Sequence, residues 1–305
     1  MRKWITIVGG TLVALGALTF LVILPSQVIK GNNSAMSETP ADRGLTFEEF
    51  TLTSRTDDIS LAGWWIPAKD PKGIFLFIHG ANGSKEGPYL ESLNLYRDMV
   101  NAGYTVVAPD LRNHGTSGRS ASGSLMFGLE EKDDVLAVID MITERAPELP
   151  LYAGGVSMGG GTLVHTLAEE TPIRAALLWD PLLDAASSSA GGVKAMLDLP
   201  DIFIGPVIWS AQNFFGLPSE SAIELGKSLT TPILLIQDEE DPVTLAKFSQ
   251  ELADENDNVR MIVMPTPELP NALLTENDGW ATHGAAYELY PTEFVDHLTT
   301  FLENH

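Results

Sequence analysis

A serine stands between glycines in the stretch 155–159, Gly-Val-Ser-Met-Gly, which follows a short apolar run at 151–153 and precedes a stretch compatible with a helix. The order of strand, sharp turn and helix predicts a nucleophile elbow, in which the turn presents the hydroxyl of Ser157 above a sheet. Glycines are needed because the turn strains the serine backbone and leaves no room for side chains two positions away. A glycine-rich turn without chemistry is the alternative interpretation.

A serine hydroxyl needs a base to take its proton and a carboxylate to orient that base. Around a nucleophile elbow these groups follow in the order serine, acid, histidine. Three of the six histidines come after the predicted acid-bearing strand 232–237, and these are His283, His297 and His305. His297 lies inside the predicted terminal helix and His305 ends the sequence, so His283, in the loop 280–284, is the predicted base.

The acid is expected in the loop after strand 232–237, where Asp238, Glu239, Glu240 and Asp241 compete. Asp241 is the predicted acid, because the turn needs several residues to carry a carboxylate back towards the histidine loop and Pro242 would hold it there. Asp238 is the first alternative, and Asp180, after an earlier strand, is a more remote one. For any one of these acids taken alone, a solvated loop carboxylate is the more common case.

Backbone N–H groups must stabilise the negative charge that builds on a substrate carbonyl oxygen. One predicted donor is Met158, directly after the serine at a helix N-terminus. The other lies in the turn 79–83, after the first buried strand, with Ala81 as the expected donor. In this interpretation His79 braces that turn, and the polar turn 110–117 supports the site without taking part in catalysis.

The pattern around these residues predicts strands that alternate with helices. A hairpin formed by 47–53 and 59–66 is followed by buried strands at 73–78, 105–108, 151–153, 173–179, 233–236 and 259–263. Helical spacing recurs at 89–102, 129–145, 158–169, 245–255 and 291–303. This order predicts an α/β fold with a mostly parallel central sheet, helices on both faces and an N-terminal antiparallel hairpin. The long connection 181–231 is predicted to be a small helical cap insertion; its apolar residues either line a substrate pocket or pack it onto the body.

The first thirty residues predict a transmembrane signal-anchor. Ile5 to Leu24 is a run without charged side chains, and about 20 such residues in a helix cross a hydrocarbon core of about 30 Å. Arg2 and Lys3 before the run predict an inside N-terminus and an extracytoplasmic body. A cleaved secretory signal, which would leave the protein secreted, is the alternative. Residues 31–44 are then a polar tether, and residues 45–305 form the folded domain.

Composition narrows the function classes. The chain has no cysteine, which excludes disulfides, metal thiolates and a cysteine nucleophile. The formal net charge of −23 predicts a surface that repels nucleic acid and anionic lipid headgroups. Solubility or an acid-rich or saline habitat is a more ordinary reason for this charge than a cationic substrate.

From Phe47 to Leu302 the chain resembles the α/β-hydrolase superfamily, and more closely its bacterial membrane-anchored serine hydrolases of the esterase-like and peptidase-like kinds. The resemblance is carried by His79-Gly80, the turn 110–117, the elbow 155–159, the stretch 241–243 and the stretch 283–287 leading to Phe294 and Phe301. It implies an α/β-hydrolase fold and gives Ser157, Asp241 and His283 the roles of a catalytic triad. Many relatives have glycine after the acid-bearing strand, where this chain has Gln237-Asp238.

The predicted function is hydrolysis of carboxylic esters through an acyl-enzyme on Ser157, with thioester, amide or peptide bonds as variants. An acyltransferase that uses the same three residues is the alternative, and a non-catalytic surface binding domain is a third hypothesis. The expected partner is a small acyl substrate or a peptide. No metal or organic cofactor is implied, and the sequence does not predict the acyl length or the oligomeric state.

Overall fold

The computed structural model describes residues 2–267 and 280–305. Within these residues one sheet has eight strands in the order β1-β2-β4-β3-β5-β6-β7-β8. The first two strands and β4 pair antiparallel, and every pair from β4 through β3 to β8 is parallel. The strands are β1 (Glu48–Thr53), β2 (Ser60–Ile66), β3 (Gly73–Ile78), β4 (Tyr104–Pro109), β5 (Leu151–Val156), β6 (Ile173–Trp179), β7 (Ile233–Asp238) and β8 (Val259–Met264).

Helices cover both faces of this sheet, which is why its inner strands are buried along their whole length and read as continuous apolar runs. The helices are α1 (Arg2–Leu18), α2 (Leu24–Val28), α3 (Ser92–Asn101), α4 (Glu131–Arg145), α5 (Met158–Leu167), α6 (Ala185–Leu197), α7 (Asp201–Ser210), α8 (Ile223–Lys227), α9 (Ala246–Glu255), α10 (Ala286–Leu289) and α11 (Pro291–Glu303). One core contains Val135 of α4, Leu163 of α5 and Leu252 of α9. The core on the other face contains Leu95 of α3 and Leu298 of α11.

At the N-terminus, α1 continues through a π-helical turn, Thr19–Ile23, into α2. The stretch Val8–Val28 is apolar and long enough to cross a membrane, and very little of it is buried by the rest of the chain. Among the residues that the structure describes it is the single such helix. This fits membrane anchoring.

The segment that the sequence analysis assigns to a tether, 31–44, lies along the body. The side-chain amide of Asn33 donates to the carbonyl oxygens of His114, Gly115 and Ser117 at 2.9 to 3.2 Å. Further along, the N–H and hydroxyl of Ser37 donate to the buried carboxylate of Glu86. These contacts fix the segment 31–44 to the turn after β4 and to the connection between β3 and α3.

The insertion 181–231 contains α6, α7, a second π-helical turn at Ala211–Phe215, and α8. Asp184 is the N-cap of α6, because its carboxylate accepts the N–H of Ser187 at 2.7 Å. The middle of α6 lies against the loop after β7, since a Cβ on Gly191 would meet the carbonyl oxygen of Pro242 at 2.4 Å. The insertion therefore covers the end of the sheet where β6 and β7 finish.

Candidate active site

Ser157 lies at the apex of a tight turn between β5 and α5, with φ 52° and ψ −120°. This conformation is strained for a residue with a side chain. It is tolerated because the surrounding backbone packs closely on it. A Cβ on Gly155 would meet the carbonyl oxygen of Gly159 at 2.3 Å, and a Cβ on Gly159 would meet that of Ile78 at 2.3 Å. The predicted need for both glycines has this steric cause.

The structure brings the predicted serine, histidine and first-choice aspartate together. Nε2 of His283 lies 3.0 Å from Oγ of Ser157, and Nδ1 lies 2.7 Å from Oδ2 of Asp241. The carboxylate requires the proton on Nδ1, so Nε2 is left to accept the serine proton. The three residues come from the elbow, the loop after β7 and the loop before α10. His283 and Asp241 are buried, whereas Ser157 is partly exposed and accessible to a substrate.

The carboxylate of Asp241 is held by its own loop. Its Oδ1 accepts the backbone N–H groups of Val243 and Thr244 at 2.6 and 3.0 Å, and its Oδ2 also accepts the hydroxyl of Thr244. Asp238, the first alternative for the acid, makes no contact with His283. It is buried, and among the described residues neither of its carboxylate oxygens has a hydrogen-bond donor in good geometry.

Two opposing effects set the charge of the imidazole. Burial of the ring disfavours the protonated form, but the charge of Asp241 and its hydrogen bond to Nδ1 outweigh burial and raise the pKa of His283. For the two neighbouring carboxyls, burial dominates. It raises the pKa of Asp238, with help from the charge of Asp241, and burial with the charge of Asp238 raises that of Asp180.

The predicted oxyanion turn, 79–83, touches the serine. A Cβ on Gly80 would lie 3.2 Å from Cβ of Ser157, so glycine lets the turn approach this closely. Nδ1 of His79 contacts the carbonyl oxygen of Gly80 at 2.8 Å, and Nε2 of His114 accepts the N–H of Asn82 at 3.1 Å. Burial and the neighbouring ring of His79 lower the pKa of His114 to about 3, which keeps Nε2 free to accept. The two rings thus fix the peptides on either side of Ala81.

The N–H of Met158 is the first of α5, and the first N–H groups of a helix have no partner within the helix. It follows Ser157 directly, as the sequence predicts. Ala81 lies in the turn that packs on Ser157. Both amides are therefore adjacent to the serine, and their role as oxyanion donors stays a prediction.

Comparison with known proteins extends this description. The family model for serine aminopeptidases of family S33 matches residues 69–212, which include Ser157 and end before Asp241 and His283. An esterase of Pyrococcus furiosus superposes with a TM-score of 0.73 at 22% identity, covering 90% of this chain and 97% of that one. The strand order, the elbow at Ser157 and this superposition together show the α/β-hydrolase fold.

Curated proteins similar to this chain include lipases. The lysophosphatidylserine lipase ABHD12 of Xenopus tropicalis is 27% identical over 232 residues, which are 67% of this chain and 57% of that protein. The monoglyceride lipase of Homo sapiens is 27% identical over 267 residues, 73% of this chain and 86% of that lipase. The alignment thus spans little more than half the length of the first relative. The predicted bacterial character of the likeness stays a prediction.

The sequence analysis gave Tyr89 and Trp280 no role and considered Asp180 only as a remote alternative for the acid, yet all three contact His283 or its neighbour Gly284. The carboxylate of Asp180 accepts the N–H of Gly284 at 2.8 Å, and the hydroxyl of Tyr89 donates to the carbonyl oxygen of His283 at 2.7 Å. The ring of Trp280 lies 5.8 Å from that of His283. Only Asp180 had a sequence signal, since it directly follows a predicted buried strand.

Asp180, Asp241 and His283 also present ligand atoms within 4.8 Å of one another, as a metal site would. Their atoms are already engaged, however. Asp180 accepts N–H groups on both oxygens, and Asp241 and His283 are bonded to each other. Among the described residues, this group is better suited to moving a proton than to holding a cation.

Proposed function

We propose that this protein is a serine hydrolase that cleaves carboxylic esters through an acyl-enzyme. The observation that carries the proposal is the continuous line of contacts from Oγ of Ser157 through the ring of His283 to the carboxylate of Asp241, at 3.0 and 2.7 Å. Oγ attacks the ester carbon while Nε2 takes its proton. The N–H groups of Ala81 and Met158 hold the oxygen that becomes negative.

In the steps that follow, the proton held by His283 is returned to the leaving group, and the same transfers are repeated with water. The imidazolium gives its proton to the departing alcohol, and the carbonyl re-forms as the acyl-enzyme. Water then loses a proton to Nε2 as it attacks, and Ser157 recovers its proton when the acid leaves. Throughout, the fixed carboxylate of Asp241 stabilises the charged ring of His283.

An ester is the favoured substrate class because the curated relatives described above are lipases and the Pyrococcus furiosus structure is an esterase. The family described as serine aminopeptidases supports the same nucleophile with an amide substrate. The acyl-enzyme is common to both reactions. We therefore assign ester hydrolysis as the main activity, with amide and peptide bonds as variants.

We also assign Val8–Val28 to a single membrane span with the hydrolase domain outside the cytoplasm. Its support is the apolar, exposed helix together with the basic residues that precede it. Determining the N-terminal sequence of protein from the membrane fraction tests this assignment. An intact N-terminus supports the anchor, whereas a new N-terminus after residue 20 in released protein contradicts it.

The enzymatic proposal is tested with a fluorophosphonate probe, which reacts with an activated serine. Wild type and the control Ser122→Ala, which changes an exposed serine, are expected to be labelled. The variant Ser157→Ala is expected to escape labelling and to lose hydrolysis of p-nitrophenyl esters. Folded wild type that resists labelling would instead favour a non-catalytic binding domain.

Transfer to another acceptor is separated from hydrolysis by product analysis. A p-nitrophenyl ester is given to the enzyme with and without a dilute alcohol or amine. Free acid as the main product supports the hydrolase. If transfer to the dilute acceptor dominates, the acyltransferase is the correct reading.

A further inference from the structure

The cap insertion carries an apolar surface of its own. Among the described residues beyond position 28, nine large apolar side chains are exposed, and six of them lie between 196 and 214. We call these six the cap face: Met196, Leu197, Ile202, Phe203, Trp209 and Phe214. Ile202 is 77% exposed and Phe214 is 69% exposed. Concentrated exposure of this kind marks an interaction surface.

The cap face is joined to the N-terminal helix. The ring of Phe20 stacks on that of Phe203 with centroids 4.9 Å apart. Directly after Trp209 of the cap face, the hydroxyl of Ser210 donates to the carbonyl oxygen of Leu21 at 2.6 Å. Leu21, Val22 and Ile23 are themselves exposed beside these contacts. The apolar surface of the cap is therefore continuous with the surface of the proposed span.

Helix length then fixes where the cap must lie. The helix α1 has 17 residues, which at 1.5 Å per residue is about 25 Å. A hydrocarbon core of about 30 Å is longer than this. The span must therefore include residues 19–23, and these contact the cap. We propose that the cap face inserts into the outer leaflet of the bilayer, so that its partner is the lipid itself.

Charged residues limit how deeply the cap face can insert into the bilayer. Asp198 and Asp201 are exposed within the same stretch, and Lys194 pairs with Asp201 at 2.7 Å while both stay largely in solvent. Burying such groups in hydrocarbon is costly, so the cap lies at headgroup level. Trp209, which is 54% exposed and packs edge-on against Phe214, suits this level because indole rings favour the membrane interface.

The position of the cap at the membrane surface indicates which class of ester reaches the site. This inference rests on the proposed function. In α6, Gly191 lies against Pro242, next to Asp241, whereas Met196 lies five residues further along the helix. Five residues correspond to about 8 Å. The site is thus close to the lipid surface, which favours an amphiphilic ester whose acyl chain stays in the bilayer while its ester group reaches Ser157.

Because the chain has no cysteine, single cysteines can report depth in the full-length protein. Ile202→Cys and Phe214→Cys, labelled with an environment-sensitive nitrobenzoxadiazole dye, probe the cap face in phosphatidylcholine vesicles. Both side chains are mainly exposed, so neither change removes core packing. Leu12→Cys reports the anchor. Glu144→Cys is the aqueous control, since Glu144 is exposed near the end of α4, which leads to the first residue of β5 and so to the end of the parallel strands opposite the cap.

Labels at 202 and 214 are expected to be blue-shifted and quenched by lipids that carry a nitroxide near the headgroup. The label at 144 is expected to be quenched only by aqueous iodide. If the label at 12 is in lipid while both cap labels behave like that at 144, the insertion of the cap is wrong and the anchor stands. If all four labels are in an aqueous environment, both the insertion of the cap and the membrane anchor are wrong. None of these readouts depends on catalysis, so they are independent of the proposed reaction.

Discussion

Replacing Asp241 by asparagine tests the assignment of the acid most directly. Both backbone N–H groups of the loop, from Val243 and Thr244, converge on Oδ1 at 2.6 and 3.0 Å. The amide oxygen of the new side chain must take this position, because an NH₂ group there would face two donors. The NH₂ group then occupies the place of Oδ2 and points at Nδ1 of His283.

An NH₂ group at this point reverses one hydrogen bond. Nδ1 must accept instead of donate, so the ring proton moves to Nε2, which can no longer accept from Ser157. In a serine triad the wrong tautomer lowers kcat by about 10⁴-fold. Each factor of ten corresponds to about 1.4 kcal/mol of transition-state stabilisation. We therefore expect Asp241→Asn to lose 10³- to 10⁴-fold in kcat, or about 4 to 5.5 kcal/mol.

Asp238→Asn is the matched control, since it makes the same chemical change three residues earlier, on a carboxylate that has no hydrogen bond to His283. Its kcat is expected to stay within about fivefold of wild type, because no hydrogen bond to the imidazole changes. Both variants are assayed with a soluble p-nitrophenyl ester at pH 8, and near-ultraviolet circular dichroism checks their folding. A larger loss for Asp238→Asn than for Asp241→Asn in folded protein would refute the reasoning.

Three further outcomes are expected. The pKa of His283 is raised above its ordinary value of 6.5, and the base must be neutral, so kcat/KM should rise with pH through a pKa above 6.5; an acid limb centred lower would contradict this. Gly80→Ala places a methyl group 3.2 Å from Cβ of Ser157 and should displace the turn 79–83, which lowers kcat by tenfold or more, as does loss of one oxyanion donor. An unchanged kcat would show that the backbone of this turn accommodates the methyl group without displacing the donor. Burial raises the pKa of Asp238 from 3.8 to about 6, so its ionisation destabilises the fold above pH 6 and not below pH 4. Asp238→Asn should therefore raise the free energy of unfolding by about 2 to 3 kcal/mol at pH 8 and by little at pH 4, measured by urea denaturation; a gain that does not depend on pH would count against this cause.

The sheet was predictable because apolar runs mark buried strands. The predicted ends of β3 and β6 match the structure, and the predicted fold class is confirmed. The prediction for β5 stopped at Ala153, but the strand continues to Val156. Gly154 and Gly155 carry no apolar side chain to extend the run, yet the ring of Phe75 fills the space beside Gly154 and the ladder continues on both sides.

The cap was harder to predict. Helix α7 is apolar all round, so its sequence shows no period that would separate a buried face from an exposed one. In the structure Ile204 and Val207 are buried, whereas Ile202 and Trp209 are exposed. A pattern like this arises when a helix has apolar neighbours on more than one side, which agrees with contact to both the body and the proposed membrane span.

The site depends on contacts that spacing alone does not reveal, and Asp180 shows why. Its carboxylate accepts the side-chain amide of Gln237 at 3.0 Å, the N–H of Asp238 at 2.8 Å and the N–H of Gly284 at 2.8 Å. Three segments distant in the chain are thereby joined: the end of β6, the start of the acid loop and the histidine loop.

Burial and the charge of Asp238 raise the pKa of Asp180, while the three N–H donors favour its ionised form. The buried carboxyl group of Asp180 thus serves to position the histidine loop. Together with the bond from Tyr89 to the backbone of His283, it holds the histidine loop without help from Ser157 or Asp241. A base that is already held before substrate arrives needs little rearrangement during reaction, which is the condition under which fixed dipoles and charges accelerate acyl transfer most.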